Sequence, residues 1–266
     1  MEPDISVLLS NIASQLRGPL SNLYLAAARM APADARENDP ELDARAALLD
    51  QSYYQLIRLV NNLSAAQDLD SSAPYVLHDG DIVALAAGVF ERMASLAALR
   101  GLKSRFLCPV EKHICAFHAG MVEQLLLQLL SNAFKFTPPG GTITLEVGLS
   151  RGQVLLAVED TGPGIPKEQQ FTLFSRWRYE SDFSLPPHGS GLGLAICRRI
   201  AEGHGGTLEL DPTAKGCRFI FSLPDRKMGR VEISDVSFDR SGGFNPTLLA
   251  LSDALPPQAF LLRSQE

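Results

Sequence analysis

Val158-Glu159-Asp160-Thr161-Gly162-Pro163-Gly164-Ile165-Pro166 and Gly189-Ser190-Gly191-Leu192-Gly193-Leu194-Ala195-Ile196-Cys197-Arg198-Arg199-Ile200 are the two glycine-rich pieces on which the reading of this chain turns. In the first, an acidic residue at a strand end is followed by glycines that let the backbone come close to a flat ring, as a purine pocket requires. In the second, three glycines at alternate positions open a helix and leave bare N–H groups at its N-terminus, a physical site for phosphate. Either piece alone is weak evidence. Together, and with an Asn-bearing helix upstream, they point to a nucleotide.

Outward from these pieces, Met121 to Phe134 carries Val122, Leu125, Leu126, Leu129, Leu130 and Ala133 on one side, the pattern of an amphipathic helix. Pro138-Pro139-Gly140-Gly141 ends it. Thr142–Leu149 and Gln153–Glu159 flank Arg151-Gly152 as a β-hairpin that leads into the first glycine piece. Asp81–Leu99 is helical by pattern, Lys103–Cys108 and His113–Phe117 are short strands, and Gly191–Glu202 is the helix after the second piece. Thr207–Leu210 and Cys217–Leu223 close the set as strands. Helices and hairpins mixed in this way predict an α/β layer, with helices on one face of a mixed sheet.

Further upstream, Ile5, Leu9, Ile12, Leu16, Pro19, Leu23, Ala26 and Met30 recur at alternating four-three spacing, the seam of a coiled-coil-like helix. Ala31 to Pro40 is expected to be a loop, with Pro40 at the start of the next helix. Leu42, Ala46, Leu49, Tyr53, Leu56, Val60 and Leu63 then repeat the seam. Two such seams make an antiparallel hairpin, and two hairpins would bury both as a four-helix bundle in a homodimer; packing of both seams on the downstream domain is the alternative. Asp70 to Pro74 is the boundary, so the expected units are 1–70, 75–224 and a tail at 225–266. In that tail, Asn245-Pro246 caps a short helix, with no legible chemistry.

Composition sets bounds on the function. With 266 residues, 45% hydrophobic and 20% charged, the chain is an ordinary globular protein. Its net charge of −6 gives no reason to expect nucleic acid or anionic membrane as a partner. Cys108, Cys115, Cys197 and Cys217 fall at no metal or redox spacing and suit reduced thiols in a cytoplasm. No apolar run approaches the roughly 20 residues of a membrane span, and the N-terminus lacks a basic region leading into an apolar core, so the chain as given is expected to be neither exported nor anchored by itself.

From about Val76 to Pro224 the residues resemble the ATP-binding half of sensor histidine kinases, within the larger fold family that includes gyrase, the Hsp90 chaperones and MutL. Gln128 to Thr137 resembles the N box, Asp160-Thr161-Gly162-Pro163-Gly164 the first G box, Leu173 to Trp177 a degenerate F box, and Gly189 to Leu194 the second G box. The resemblance implies ATP and Mg²⁺ as ligands. Asp160 would accept from the adenine amine, because an ionised carboxylate is a strong acceptor. Asn132 would ligate Mg²⁺ through its amide oxygen. Lys135 would sit at the phosphates as a point charge, and Gly189, Gly191, Leu192, Gly193 and Leu194 would form the lid. Gly162 and Gly164 would shape the purine side, where Phe136 either stacks on the ring or packs in the core. The hairpin likewise resembles the dimerisation and phosphoacceptor domain. The expected fold is thus α+β, a helical hairpin followed by the α/β sandwich of these ATPases.

The departures concern phosphate transfer. In Ser14-Gln15-Leu16-Arg17-Gly18-Pro19-Leu20 the family's Leu-Arg-x-Pro-Leu frame is kept, but Ser14 stands for the phosphoacceptor His and Gln15 for its acidic partner. An alcohol without a nearby base is a poor nucleophile. Gly18 replaces a polar residue that positions water for dephosphorylation of a response regulator. Gln128 cannot act as the water-activating Glu of gyrase-like ATPases, and Cys217 stands where the family often has Thr near adenine. His78, His113 and His118 are expected to be surface or satisfied histidines, His188 to abut the lid, and His204 to be a turn residue; none lies on the hairpin. The expected function is therefore an ATP-binding signalling protein of the two-component type, pseudokinase-like, with a response regulator or another kinase as partner. An active kinase using Ser14, another His or a partner residue, a gyrase-like ATPase, and a nucleotide-free structural dimer are the alternatives.

Overall fold

The computed structural model describes residues 5–68, 75–170, 173–174, 192–212, 214–229 and 244–262. Helix α1 (Ile5–Met30) and helix α3 (Pro40–Asp68) form the predicted hairpin, joined through a short helix α2 (Ala33–Asn38). The loop expected at 31–40 is thus partly helical. Pro40 does open α3, and the Asp39 carboxylate caps it by accepting from the Glu41 and Leu42 N–H groups. Within the chain, α1 turns Ala13, Leu20 and Tyr24 toward α3 rather than the predicted seam. Arg17 on the same face donates to Asn61 and Ser64 of α3. Ile12, Leu16, Leu23 and Met30 remain exposed, as do Leu49 and Leu56 of α3. The intramolecular face is offset by about one residue because Ala13 and Leu20 let the helices approach while Arg17 finds polar partners.

The remaining described strands and helices are, in order, β1 (His78–Asp81), α4 (Ile82–Ala97), β2 (Lys103–Leu107), β3 (Ile114–Phe117), α5 (Ala119–Phe136), β4 (Thr142–Ser150), β5 (Gln153–Asp160), α6 (Lys167–Gln170), α7 (Gly193–Gly203), β6 (Thr207–Leu210), β7 (Cys217–Pro224) and α8 (Pro246–Leu251). A five-stranded sheet runs β2-β4-β5-β7-β6, parallel between β2 and β4 and antiparallel elsewhere. β1 and β3 pair separately. The β4–β5 hairpin turns through Arg151 and Gly152, both at positive φ (50° and 76°), as a tight two-residue turn demands.

Alternation decides which sheet face is dry. Ile143, Leu145, Val147, Val154, Leu156, Phe219 and Phe221 point into the core with α4, α5 and α7. On the opposite face Arg218 bridges Glu159 at 2.7 Å and Glu146 at 2.8 Å, a cross-strand ion ladder. The stretch Ile82–Arg100 is, by length and a mean hydropathy of 1.7, apolar enough to cross a membrane. This corrects the expectation that no such run exists. The helix it forms has Ile82, Val83, Ala86, Val89 and Met93 buried in the domain core.

His204, expected as a turn residue, caps α7 and is buried. Its Nδ1–H donates to the Ile200 carbonyl at 2.7 Å, so its Nε2 accepts the His118 N–H at 3.0 Å. Acceptance at Nε2 needs the neutral ring, and burial holds the imidazole below its ordinary value. The unfolded chain therefore protonates first on acidification, and the stability from this residue is complete above about pH 6.5 and lost as pH falls through the folded value. The drop in Tm between pH 7 and pH 5 is expected to be smaller in His204→Gln than in the parent; equal drops would contradict the assignment.

Candidate functional site

The predicted site residues come from four places, and the fold brings three of them to one end of the sheet. β5 ends at Asp160, and in the antiparallel register Asp160 faces Cys217 of β7. The Asp160 carboxylate is buried, with Oδ1 accepting the Gly162 N–H at 2.8 Å. Burial pushes its pKa above the usual carboxylate value, and the backbone N–H groups of Gly162 and Cys217 pull it back. Close approach explains the glycines here: a Cβ on Gly162 would lie 2.8 Å from both Asp160 Oδ1 and the Phe136 carbonyl oxygen, and one on Gly216 only 2.0 Å from the Asp160 carbonyl oxygen. Cys217, placed near adenine by resemblance, is indeed beside Asp160; burial and that carboxylate raise its thiol to about 12.

The amphipathic helix α5 supplies the second group. Asn132 and Lys135 are partly exposed, and Phe136 is 49% exposed, which removes the core-packing alternative for that ring. An open cleft of about 570 Å³ is lined by Arg100, Lys135, Phe136, Thr161 and Gly162 among others. Asp160 is not among the lining residues; its carboxylate is hydrogen-bonded to one of them, Gly162. The third group is the start of α7, where Leu192 is buried and Gly193 approaches the N-box helix so closely that a Cβ would meet Gln128 Oε1 at 3.2 Å. Leu194 follows on the same turn, partly buried, and Gly164 takes a positive φ of 76° against Gly216. Gly189, Gly191 and His188 lie outside the described residues, as does the F box beyond Phe174.

Ser14 and Gln15 are the fourth group. Both are exposed on α1, and among the described residues no hydrogen bond joins either to the residues of the cleft. The structure does not bring them to the other three groups.

Three polar residues missed by the sequence reading sit against α5. Arg58 and Asn62 of α3 are both buried. Gln128 donates through Nε2 to Asn62 Oδ1 at 3.2 Å, while Arg58 donates to Ser131 Oγ at 3.0 Å and more weakly to Gln128 Oε1 at 3.4 Å. The amide of Gln128 is thus engaged with the hairpin. Asp253, in the turn after α8, takes Lys135 Nζ at 3.0 Å and lies 2.8 Å from Arg58. Burial lowers the pKa of both cations, and Asp253 offsets part of that shift. A signal for α3 existed in the i, i+4 spacing of Arg58 and Asn62 beside an apolar seam. None existed for Asp253.

The arrangement fits a purine nucleotide on the base side: a buried carboxylate acceptor, a glycine cradle that a Cβ would fill, and an exposed aromatic ring. For a metal ion, the described residues hold no cluster of three or more His, Cys, Asp or Glu. Asn132 offers one amide oxygen, which suits Mg²⁺ because that ion keeps waters and phosphate oxygens as its other ligands.

Residues 118–227 match the family described as "Histidine kinase-, DNA gyrase B-, and HSP90-like ATPase". Sensor protein KdpD of Clostridium acetobutylicum is 31% identical over 232 residues, covering 82% of this chain and 24% of KdpD. Sensor protein SrrB of Staphylococcus aureus is 30% identical over 220 residues, with 81% and 37% covered. Hybrid signal transduction histidine kinase D of Dictyostelium discoideum is 28% identical over 246 residues, with 85% and 15% covered. The chain therefore spans well under half the length of these relatives. Among solved structures, full-length ShkA in complex with AMPPNP aligns with a TM-score of 0.66 at 26% identity, covering 84% of this chain and 46% of ShkA. The nucleotide-free catalytic domain of the histidine kinase ThkA aligns with a TM-score of 0.51 at 25% identity, covering 57% of this chain and 97% of that domain.

Proposed function

Residues 118–227 belong to the histidine kinase-, DNA gyrase B-, and HSP90-like ATPase family, the chain is a relative of the sensor histidine kinases of two-component signalling, and on that premise we propose that it is an ATP-binding, homodimeric signalling protein with impaired autophosphorylation. The observation that carries ATP binding is the buried Asp160 carboxylate beside the Gly162 cradle and the exposed Phe136 ring. Asp160 orients the purine, Phe136 stacks on it, Lys135 takes the phosphates, and Gly162, Gly164 and Gly193 let the backbone approach. Bound Mg²⁺, held by Asn132, would neutralise phosphate charge. Gly189 and Gly191 complete the lid in this proposal.

Homodimerisation is supported by the apolar strip left open on the hairpin, where Ile12, Leu16, Leu23, Leu49 and Leu56 are each at least 40% exposed. A second copy would bury it as a four-helix bundle. The units 1–70, 75–224 and 225–266 are the proposed domains, placed in the cytoplasm, where ATP and a response regulator or partner kinase are found. Impairment follows from Ser14 and Gln15, since neither an alcohol nor a neutral amide supplies the nucleophile and base at neutral pH. The ATPase alternative is disfavoured because Gln128 is neutral and engaged with Asn62.

Labelled ATP and Mg²⁺ test this reading. The parent chain is expected to take up no acid-labile phosphate, whereas the Ser14→His, Gln15→Glu double variant is expected to gain it. Robust acid-labile label on the parent would sink the impairment claim; acid-stable label that disappears in Ser14→Ala would instead establish Ser14 as the acceptor.

A further inference from the structure

The C-terminal segment from Phe244 to Phe260 touches both the hairpin and the ATP-binding domain. Its two ends rest on aromatic rings of the hairpin: Phe244 lies 5.2, 5.3 and 5.4 Å from Tyr24, Tyr53 and Tyr54, and Phe260 lies edge-on to Tyr54 at 5.3 Å. Between them, Gln51 and Gln55 of α3 donate to the Leu255 carbonyl at 2.8 Å and the Ser252 carbonyl at 3.2 Å. On the other side, Arg92 of α4 donates to Thr247 Oγ1 at 3.1 Å, and Arg100 donates to the Ala254 carbonyl at 2.7 Å. Asp253 joins the two sides, with Arg58 of α3 at 2.8 Å and Lys135 of α5 at 3.0 Å. Two of these anchors, Arg100 and Lys135, line the cleft.

Burial explains why the segment stays docked, and its length explains why it can leave. Leu248, Leu251, Leu255 and Phe260 are buried in the common core. Helix α8, however, has only six residues, and a helix that short has no stability apart from the surface on which it packs. The segment is therefore ordered by docking and comes off as a unit. Direct hydrogen bonds between α3 and α5 join Asn62 to Gln128 at 3.2 Å and Arg58 to Ser131 at 3.0 Å, and water replaces such bonds at small net cost.

We propose that residues 244–260 are a clasp: docked, they hold the ATP-binding domain against α3 in one arrangement, and released, they let that domain move relative to the hairpin. The docked arrangement is the one described, in which Ser14 is exposed on α1 and no described hydrogen bond joins it to the cleft. Because phosphate transfer needs reacting atoms about 3–3.5 Å apart, the docked clasp restrains delivery of phosphate to position 14. That consequence rests on the nucleotide reading above, while the clasp itself does not.

Gln51→Glu combined with Gln55→Glu in the full chain tests the clasp, since each change keeps the side-chain shape and turns a donor to a segment carbonyl into an acceptor. Hydrogen exchange at the Ala254 and Leu255 amides, which close the turn on the Leu251 carbonyl, is expected to quicken by about 10-fold. Small-angle scattering is expected to give a larger radius of gyration at unchanged mass. Gln55→Glu alone is expected to act in the same direction, should the double variant fail to fold. An unchanged radius, with or without quickened exchange, would overturn the clasp. In the Ser14→His, Gln15→Glu chain, the same pair of changes is expected to raise the rate of acid-labile labelling at least about fivefold. There the P–O bond to ADP breaks, a P–N bond to the introduced imidazole forms, and the introduced carboxylate takes the ring proton. Equal rates, or no label in either chain while both bind Mg-ATP, would overturn the restraint on transfer. No binding of Mg-ATP by calorimetry would overturn the nucleotide reading and the restraint with it, and scattering alone would then decide the clasp.

Discussion

Mg-ATP binding to an Asp160→Asn variant is expected to be weaker than to the parent by about 100-fold, on the order of 2.7 kcal/mol. Asparagine preserves the shape of the buried side chain, and its amide oxygen can keep the Gly162 N–H that Asp160 now accepts at 2.8 Å. The NH₂ group must then face the position of the adenine amine, so a donor meets a donor at a buried side chain. A site built to accept a hydrogen bond loses far more from such a mismatch than from a missing methylene. Calorimetry reads the affinity, and a melting curve like the parent's separates the effect from misfolding. Binding within about threefold of the parent would remove Asp160 from the purine site.

Truncating the core under α5 should have the largest effect on stability. Phe134 is fully buried on α5, two residues from Asn132 and one from Lys135, within the cluster formed with the sheet. Phe134→Ala is expected to cost about 3–5 kcal/mol, because the lost contacts leave a cavity that rigid neighbours on α4 and the sheet only partly fill. For a chain of this size that corresponds to a Tm lowered by roughly 10 °C. Urea unfolding followed by circular dichroism measures it, and a loss under about 1 kcal/mol would mean that α5 is not packed as described. Nucleotide affinity should fall as well, since Lys135 and Asn132 are positioned by this packing.

The five-stranded sheet and its three covering helices were legible because their signals are local. Alternation in Thr142–Leu149 and Gln153–Glu159, and the apolar stripe of α5, each lie within a dozen or so consecutive residues, and the core uses them in the predicted sense. The hairpin was legible as two helices, but the face that joins them was not. Leu16 and Leu23 have the more hydrophobic spacing, yet Ala13, Arg17 and Leu20 pack against α3, because close approach and two hydrogen bonds from Arg17 outweigh side-chain size there. The short helix α2 escaped notice in a stretch rich in Pro and Asp. In the tail the sequence predicts a cap at Asn245-Pro246 and a short helix over Thr247–Leu251 without chemistry; the cap and helix are present, and the apolar residues of the segment hold it against α3 and α5.

What the sequence determined by itself is the ATPase architecture and the motifs in which Asp160, Asn132 and Lys135, the residues proposed to hold a purine and its phosphates, stand, since each motif is recognisable over a few residues. It also determined that Ser14 and Gln15 stand in the phosphoacceptor frame. Only the tertiary structure decided what Lys135 touches. Its partner Asp253 is 118 residues away, and Gln128 is engaged by Asn62 from 66 residues upstream. Pairings over such distances are set by how apolar surfaces of separate segments come to be buried together, and no local pattern in the chain encodes them.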